Sequence, residues 1–241
     1  MPGLESTVDM FDLRMSDKAQ PLFEAVKKFI AEEVEPHTKE FFRLGEGRAE
    51  RWGYGEGQLE LLDGIKAKAK EQGLWNFFLP DAETGEGLSN LDYAYIATEL
   101  GKNPIASESM NCAAPDTGNM EVLERVGTPE QKEKWLTPLL NGEIRSAYAM
   151  TEPDVASSDA TNISLSCVRD GDHYVLNGEK IWISGAGDPR CAILIVMCCT
   201  DPDAARHARH SQILVPMDTP GLEVLRPMTV FGHDSAPHGH M

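Results

Sequence analysis

After residue 143 the sequence consists of short apolar runs separated by turn residues, and this pattern constrains the fold more than any other feature. Two of the runs flank the turn Asp170-Gly171-Asp172, and another follows Asn177-Gly178. Asp-Gly and Asn-Gly pairs tolerate the positive φ that a tight hairpin turn requires. We therefore predict hairpins at both pairs. The predicted strands cover residues 144–150, 162–169, 173–176, 179–184, 191–199, 212–216 and 222–226.

The first 142 residues instead carry apolar side chains at the three- and four-residue spacing of amphipathic helices. In the first predicted helix, residues 16–39, Pro36 should end or kink the helix because proline lacks an N–H and clashes with the preceding turn. Ser89 is the predicted cap of a helix ending at Leu100, and Thr128 with Gln131 forms a predicted capping box. Further helices are predicted at residues 58–72, 115–126 and 128–140.

A helical half followed by a strand half indicates two domains. We therefore predict an α+β protein. An N-terminal all-α helical domain should occupy residues 1–142, and an antiparallel β-barrel-like domain should occupy residues 143–241.

The charge of the chain excludes some classes of partner. The net charge is −17 and the isoelectric point is about 4.8, which argues against nucleic acid and anionic membranes as partners. A local basic patch can still bind an anionic small molecule. The acidic first residues carry no secretory or mitochondrial signal, and the longest apolar run, residues 192–199, is too short to span a bilayer. We predict a cytoplasmic protein.

Metal-binding and disulfide patterns are weak. The five cysteines are odd in number and show no C-x-x-C spacing, so we predict reduced, buried thiols. His238-Gly239-His240 lacks a Cys or carboxylate at matching spacing, and we predict no metal site.

Two stretches carry a more specific signal. Residues 148–159 read YAMTEPDVASSD, and residues 176–184 read LNGEKIWIS. Together they resemble the flavin-binding signature of the acyl-CoA dehydrogenase family. Two positions depart from it: Ser157-Ser158-Asp159 replaces Gly-Ser-Asp after a loop one residue longer, and Ser184 replaces a threonine.

The resemblance implies FAD as the cofactor and assigns roles to residues of both stretches. Trp182 would pack against the isoalloxazine ring, and the Ser184 hydroxyl would bond near flavin N5. Each residue has a plainer alternative: Trp182 could be core, and Thr151 and Ser184 could bond nearby backbone. For Glu152 and Asp159 we favour a role in holding turns. The predicted cofactor-binding residues are Tyr148, Met150, Thr151, Ser157, Ser158, Trp182, Ile183 and Ser184, and Ser158 is also the predicted substrate contact.

The implied reaction is α,β-dehydrogenation of an acyl-CoA thioester. The family's catalytic base and a C-terminal helical domain would follow residue 241, so we expect an N-terminal portion of the enzyme and nominate no catalytic residue. Implied partners are acyl-CoA, a homodimer or homotetramer or a second polypeptide, and electron-transfer flavoprotein. Two alternatives stay open: an acyl-CoA oxidase-like enzyme, and a non-catalytic binding subunit.

Overall fold

The computed structural model describes residues 13–80, 85–229 and 238–240. Contacts along the chain divide it into two compact units. The first unit comprises Met1–Glu46 and Gly57–Ala113, and the second comprises Gly47–Glu56 and Ala114–Met241. A short segment between two helices of the first unit therefore belongs to the second. The predicted boundary between residues 142 and 143 stays a prediction.

The first unit is helical. Apolar residues of the first predicted helix are buried at the expected spacing, including Val26, Phe29 and Val34. The N-cap hydroxyl of Ser89 accepts a hydrogen bond from the Asp92 N–H, as predicted. Its helices are α1 (Gln20–Phe29), α2 (Glu35–Gly45), α3 (Gln58–Glu71), α4 (Asn90–Leu100) and α5 (Ala106–Ser109), with a π-helical turn at Ile30–Val34 between α1 and α2.

Pro36 does not end the first helix. The Glu35 N–H donates to the Ile30 carbonyl five residues back, which closes the π-helical turn. The extra residue in that turn places Pro36 in the first turn of α2, where the absence of an N–H removes no helical hydrogen bond. Pro138 follows the π-helical turn Lys132–Leu136 in the same way.

The second unit combines helices with all of the described strands. The predicted capping box of Thr128 and Gln131 is confirmed. Its helices are α6 (Asp116–Val126), α7 (Pro129–Gln131) and α8 (Thr137–Leu140). Its strands are β1 (Arg145–Ala149), β2 (Ser166–Asp170), β3 (His173–Asn177), β4 (Ile183–Ser184), β5 (Cys191–Cys199), β6 (His210–Pro216), β7 (Arg226–Pro227) and β8 (His238–His240).

Strand β5 is central to the larger sheet, pairing with β1 on one side and β6 on the other and meeting β2 at Cys199. Four consecutive core positions, Ile193–Val196, explain why its sequence is apolar rather than alternating, and Cys198 is buried as well. Strands β4, β8 and β7 form a separate three-stranded sheet.

The fold class is confirmed: helices precede a curled β-sheet half-barrel. One detail of the prediction is wrong, because β1 and β2 run parallel to β5 and the sheet is mixed rather than antiparallel. A parallel pair needs a long crossover connection. The chain between Ala149 and Cys191 provides one.

The two predicted hairpins have different outcomes. The hairpin at Gly171 is confirmed, because Asp170 pairs with His173 and Gly171 has φ +60°. The hairpin at Gly178 is wrong, because β4 pairs with β8 and not with β3. Gly178, at φ +153°, crosses directly over Leu165, where a Cβ would lie 2.8 Å from Leu165 Cγ.

The predicted strand at residues 179–184 is only two residues long in the structure, Ile183–Ser184. The predicted strand at residues 222–226 is likewise short and covers Arg226–Pro227. All five cysteines are free thiols, and four of them are buried. Cys199 is half-buried. None of the helices in the described part of the chain is long and apolar enough to cross a membrane.

Candidate functional site

Strand β1 presents Tyr148 on the face opposite the core. Ala147 and Ala149 are buried in the apolar cluster of the second unit, so the side chain between them points the other way. The Tyr148 hydroxyl accepts a hydrogen bond from Gln212 Nε2 at 3.0 Å. Partial burial raises the pKa of Tyr148, and that hydrogen bond opposes the shift.

The main chain after β1 lies against the second predicted stretch. The Thr151 carbonyl accepts a hydrogen bond from the Ile181 N–H at 2.9 Å, and the Met150 carbonyl accepts one from Lys180 Nζ at 2.8 Å. The structure therefore brings together two site segments, defined as residues 148–152 and 180–184. Their proximity was expected from the sequence, but these bonds were not.

Glu152 and Lys180 form a buried ion pair between the two site segments. Glu152 Oε1 lies 2.9 Å from Lys180 Nζ, and the two side chains are 4% and 2% exposed. The same carboxylate accepts hydrogen bonds from Ser164 N, Ser164 Oγ and Leu165 N at 2.8, 2.6 and 2.8 Å. Glu152 thus holds a turn, as favoured from the sequence, and is fully engaged in doing so.

The electrostatics of this pair follow from its surroundings. Burial alone would raise the pKa of Glu152, but hydrogen bonds from Ser164, Lys180 and Leu165 outweigh it and hold the pKa below its usual value. Burial lowers the pKa of Lys180, and the contact with Glu152 opposes that shift. Donation to both Glu152 and the Met150 carbonyl is the geometry of a charged ammonium group.

The polar loop between the site segments separates the predicted serines. Ser157 is buried, and its hydroxyl accepts from the Glu152 N–H at 2.8 Å and donates to the Val155 carbonyl at 3.2 Å. Ser158 is exposed. Asp159 caps the short 3₁₀ helix Ala160–Asn162 through Thr161 and pairs with Arg206, so it too holds a turn.

Trp182 is the most unusual residue of the site. The residue is 45% exposed and its φ is +61°, a left-handed backbone that bulky residues rarely adopt. The next residue, Ile183, is buried in the core, and Ser184 is half-buried at the end of β4. The structure therefore presents the indole at the surface and not in the core.

Two clusters that the sequence analysis did not single out support these segments. Asp116 of α6 accepts hydrogen bonds from Ser146 N and Oγ, at 2.7 and 2.5 Å, and lies 2.8 Å from Arg145 Nη2. This ties helix α6 to β1. The buried carboxylate and guanidinium are far apart in sequence, so no local pattern reveals the pair.

The second cluster lies just after β4. Arg190 binds Asp188 through Nη2 at 2.7 Å and Nε at 3.0 Å, and Tyr54 donates its hydroxyl proton to the same carboxylate at 2.7 Å. The Trp52 indole covers Gly187, where a Cβ would lie 1.4 Å from Trp52 Cε3. Segment Gly47–Glu56 therefore packs on the chain that leaves the second site segment.

A surface cavity of about 300 Å³ lies near β6, and Gln212 connects it to Tyr148. None of the eight predicted site residues lines it. Within residues 13–80, 85–229 and 238–240, no group of three His, Cys, Asp or Glu side chains is placed to hold a metal ion. The cavity is lined by Ala160, Thr161, Met197, His207, His210, Ser211 and Gln212.

Two family models match the chain. Residues 16–143 match the model of the acyl-CoA dehydrogenase N-terminal domain, and residues 147–241 match that of the acyl-CoA dehydrogenase middle domain. Human acyl-CoA dehydrogenase family member 11 is 47% identical over 243 residues, covering 99% of this chain and 30% of the relative. The chain thus spans less than a third of that relative's length.

Solved structures agree. A structure from Mycobacterium abscessus, of a protein named for the same family, aligns with TM-score 0.85 and 49% identity. The alignment covers 94% of this chain and 57% of that one. A crystal structure of acyl-CoA dehydrogenase complexed with FAD from Bacillus anthracis shares the fold at TM-score 0.66 and 23% identity, covering 94% of this chain and 35% of that one.

Proposed function

Because the chain belongs to the acyl-CoA dehydrogenase family, we propose that its two site segments form the flavin-facing wall of an FAD-dependent enzyme that dehydrogenates acyl-CoA thioesters. The observation that carries the proposal is Trp182. A large aromatic side chain is exposed on a left-handed backbone, and strained backbone of this kind occurs preferentially at functional sites and ligand contacts.

The groups around Trp182 fit a flavin. An exposed indole offers a flat apolar face on which an aromatic ring system can stack. The half-buried Ser184 hydroxyl, two residues further on, supplies a hydrogen-bonding group beside that face. Tyr148, Met150 and Thr151 complete the proposed contacts from the neighbouring segment, whereas Ile183, buried in the core, supports the site from behind.

Bound FAD would supply the hydride acceptor for the β-hydrogen of the substrate. The residues of this chain would bind and orient the ring and exclude water from one face of it. Exposed Ser158 is the proposed contact to the acyl-CoA, whereas buried Ser157 serves the loop itself. The homo-oligomer and the electron-transfer flavoprotein implied by the resemblance remain proposals, as does the cytoplasmic location predicted from the absence of targeting signals in the sequence.

Neither carboxylate of the polar loop is proposed as the base that removes the α-proton. Glu152 accepts four hydrogen bonds and is buried, and Asp159 is paired with Arg206 and bonded to Thr161. A base must reach the substrate proton with a free lone pair. We assign no residue to that role.

The proposal is tested by titrating the purified chain with FAD and following the quenching of flavin fluorescence, then adding an acyl-CoA without oxygen. We expect FAD to bind and its fluorescence to be quenched by Trp182. Replacement Trp182→Leu should weaken both effects. Trp135→Leu, in the π-helical turn Lys132–Leu136, is the matched control and should change neither.

Each outcome of this experiment supports or contradicts a specific part of the proposal. Bound flavin that bleaches with acyl-CoA supports the complete reaction, and bound flavin that stays oxidised supports the wall alone. Oxygen consumption during turnover would favour the oxidase alternative. An absence of FAD binding, or equal effects of the Trp182 and Trp135 replacements, would contradict the proposal.

A further inference from the structure

The chain before Trp182 is held by its two preceding residues. Lys180 is 1% exposed, and its ammonium group donates to both the Met150 carbonyl and the Glu152 carboxylate. The next N–H, that of Ile181, donates to the Thr151 carbonyl. Side chain and main chain therefore fix consecutive residues of one site segment against the other.

The chain after Trp182 is held as well. Ile183 is buried in the apolar cluster and begins β4. With Ile181 bonded on one side and Ile183 buried on the other, the residue between them has little freedom in φ and ψ. The observed φ of +61° is the conformation that turns the indole outward between these two anchors.

We propose that Lys180, acting through Glu152, is a positioning residue that keeps Trp182 in its left-handed, outward conformation. The ammonium group bridges a carbonyl and a carboxylate of the opposite segment, so it sets the spacing between Thr151 and Trp182. Without the bridge, the chain before Trp182 can relax toward an ordinary backbone, and the indole turns away from its present direction. That this positioning serves flavin binding rests on the proposed function. That Lys180 fixes the conformation of Trp182 does not.

An ordinary stabilising ion pair must be told apart from this positioning role. The helical first unit offers a matched case: Lys66 Nζ lies 3.0 Å from Glu108 Oε1, and the Lys66 side chain is 8% exposed. Lys66→Met removes the same charge from a pair whose lysine is also buried, although its partner Glu108 is 21% exposed. A general loss of stability should therefore affect the Lys66 and Lys180 variants alike.

The test uses the full chain labelled with 5-fluorotryptophan. The four tryptophans give four ¹⁹F resonances, and Trp182→Phe assigns one of them. In Lys180→Met we expect the Trp182 resonance to shift or broaden while those of Trp75 and Trp135 stay in place. In Lys66→Met we expect the Trp182 resonance to stay in place. An unmoved Trp182 resonance in folded Lys180→Met overturns the proposal, as does an equal response in both variants.

A second variant covers the case in which Lys180→Met does not fold. The double replacement Glu152→Gln with Lys180→Met leaves no buried charge unpaired, and it should fold while still moving the Trp182 resonance. If the double variant folds with the resonance unmoved, or cannot fold either, Lys180 is structural and the proposal fails.

Binding of FAD then links position to function. If the outward indole is populated only one tenth of the time, the apparent dissociation constant for FAD rises about tenfold. We expect that rise in Lys180→Met and none in Lys66→Met. Unchanged FAD affinity in Lys180→Met would overturn the functional part. A wild-type chain that binds no FAD would instead contradict the proposed function, and the ¹⁹F result would still decide the positioning role.

Discussion

Replacing Glu152 with glutamine perturbs a carboxylate whose two oxygens receive four hydrogen bonds. Oε1 accepts from Leu165 N and Lys180 Nζ, and Oε2 accepts from Ser164 N and Oγ. A glutamine has one such oxygen. In either orientation of the amide, the NH₂ group faces two hydrogen-bond donors that it cannot accept from. In both orientations Lys180 also loses the negative charge of its partner.

The size of the effect follows from burial. Removing one partner of a buried ion pair costs about 3–5 kcal/mol, because it leaves the other charge uncompensated. We expect Glu152→Gln to lower the free energy of unfolding by that amount in urea unfolding at pH 7. The control is Glu223→Gln, the same chemical change at an exposed position, which should stay within about 0.5 kcal/mol of wild type.

The effect also has a defined pH dependence. Hydrogen bonds and Lys180 hold the pKa of Glu152 below its usual value in the folded state, in spite of burial. A carboxyl group with a lowered folded-state pKa contributes stability above its unfolded pKa, about 4.3, and loses it as the pH falls through the folded value. The difference between wild type and Glu152→Gln should be constant from pH 8 to 5 and shrink below about pH 4.3.

Either of two results would refute this reasoning. One is a change in the free energy of unfolding below about 1 kcal/mol at pH 7, since removing the anion of a buried ion pair should destabilise the protein by more than that. The other is a difference that does not change as the pH falls to about 3, which would mean that Glu152 has the same pKa in the folded and the unfolded protein.

Three glycines give further predictions. Gly178→Ala should lower the free energy of unfolding by more than Gly171→Ala does. A Cβ at residue 178 would lie 2.8 Å from Leu165 Cγ, whereas a Cβ at residue 171 would have no atom within 4 Å. For Gly171→Ala only the left-handed backbone penalty of about 1–2 kcal/mol applies; equal losses in urea unfolding would contradict this. Gly187→Ala should displace the indole of Trp52, seen as a red-shifted fluorescence emission and a lower Tm; unchanged emission would rule out their contact.

Local signals predicted local structure. Ser89 lies three residues before the N–H that it accepts from, and Gly171 needs only its neighbours to form a hairpin, so both were readable from the sequence. The run Cys191–Cys199 was long and apolar enough to give the bounds of β5. In each case the stabilising contacts are close in sequence or belong to one continuous strand.

Non-local contacts account for what was missed. The parallel pairing of β1 with β5 joins segments that no turn connects, and the chain at Gly178 goes over Leu165 rather than back along β3. Lys180 stands 28 residues after Glu152, and nothing in either neighbourhood identifies them as partners. The resemblance supplied the residues of the candidate site but not the ion pair between its two segments.

The left-handed backbone of Trp182 was also not predictable. Glycine and asparagine signal such a conformation by themselves, whereas tryptophan does not. The conformation results from the fixed positions of Ile181 and Ile183 on either side of Trp182. A local rule is broken there by tertiary structure, and such places are often functional.

The segment Gly47–Glu56 has a consequence for how the protein can be divided. It groups with the second unit although the helices before and after it group with the first. No single cut in the chain therefore separates the two units: a polypeptide that starts at Ala114 would lack Trp52 and Tyr54, leaving Gly187 uncovered and Asp188 without one of its donors. During synthesis the residues that complete the second unit emerge before its strands, so its packing cannot finish until residues more than 130 apart have met.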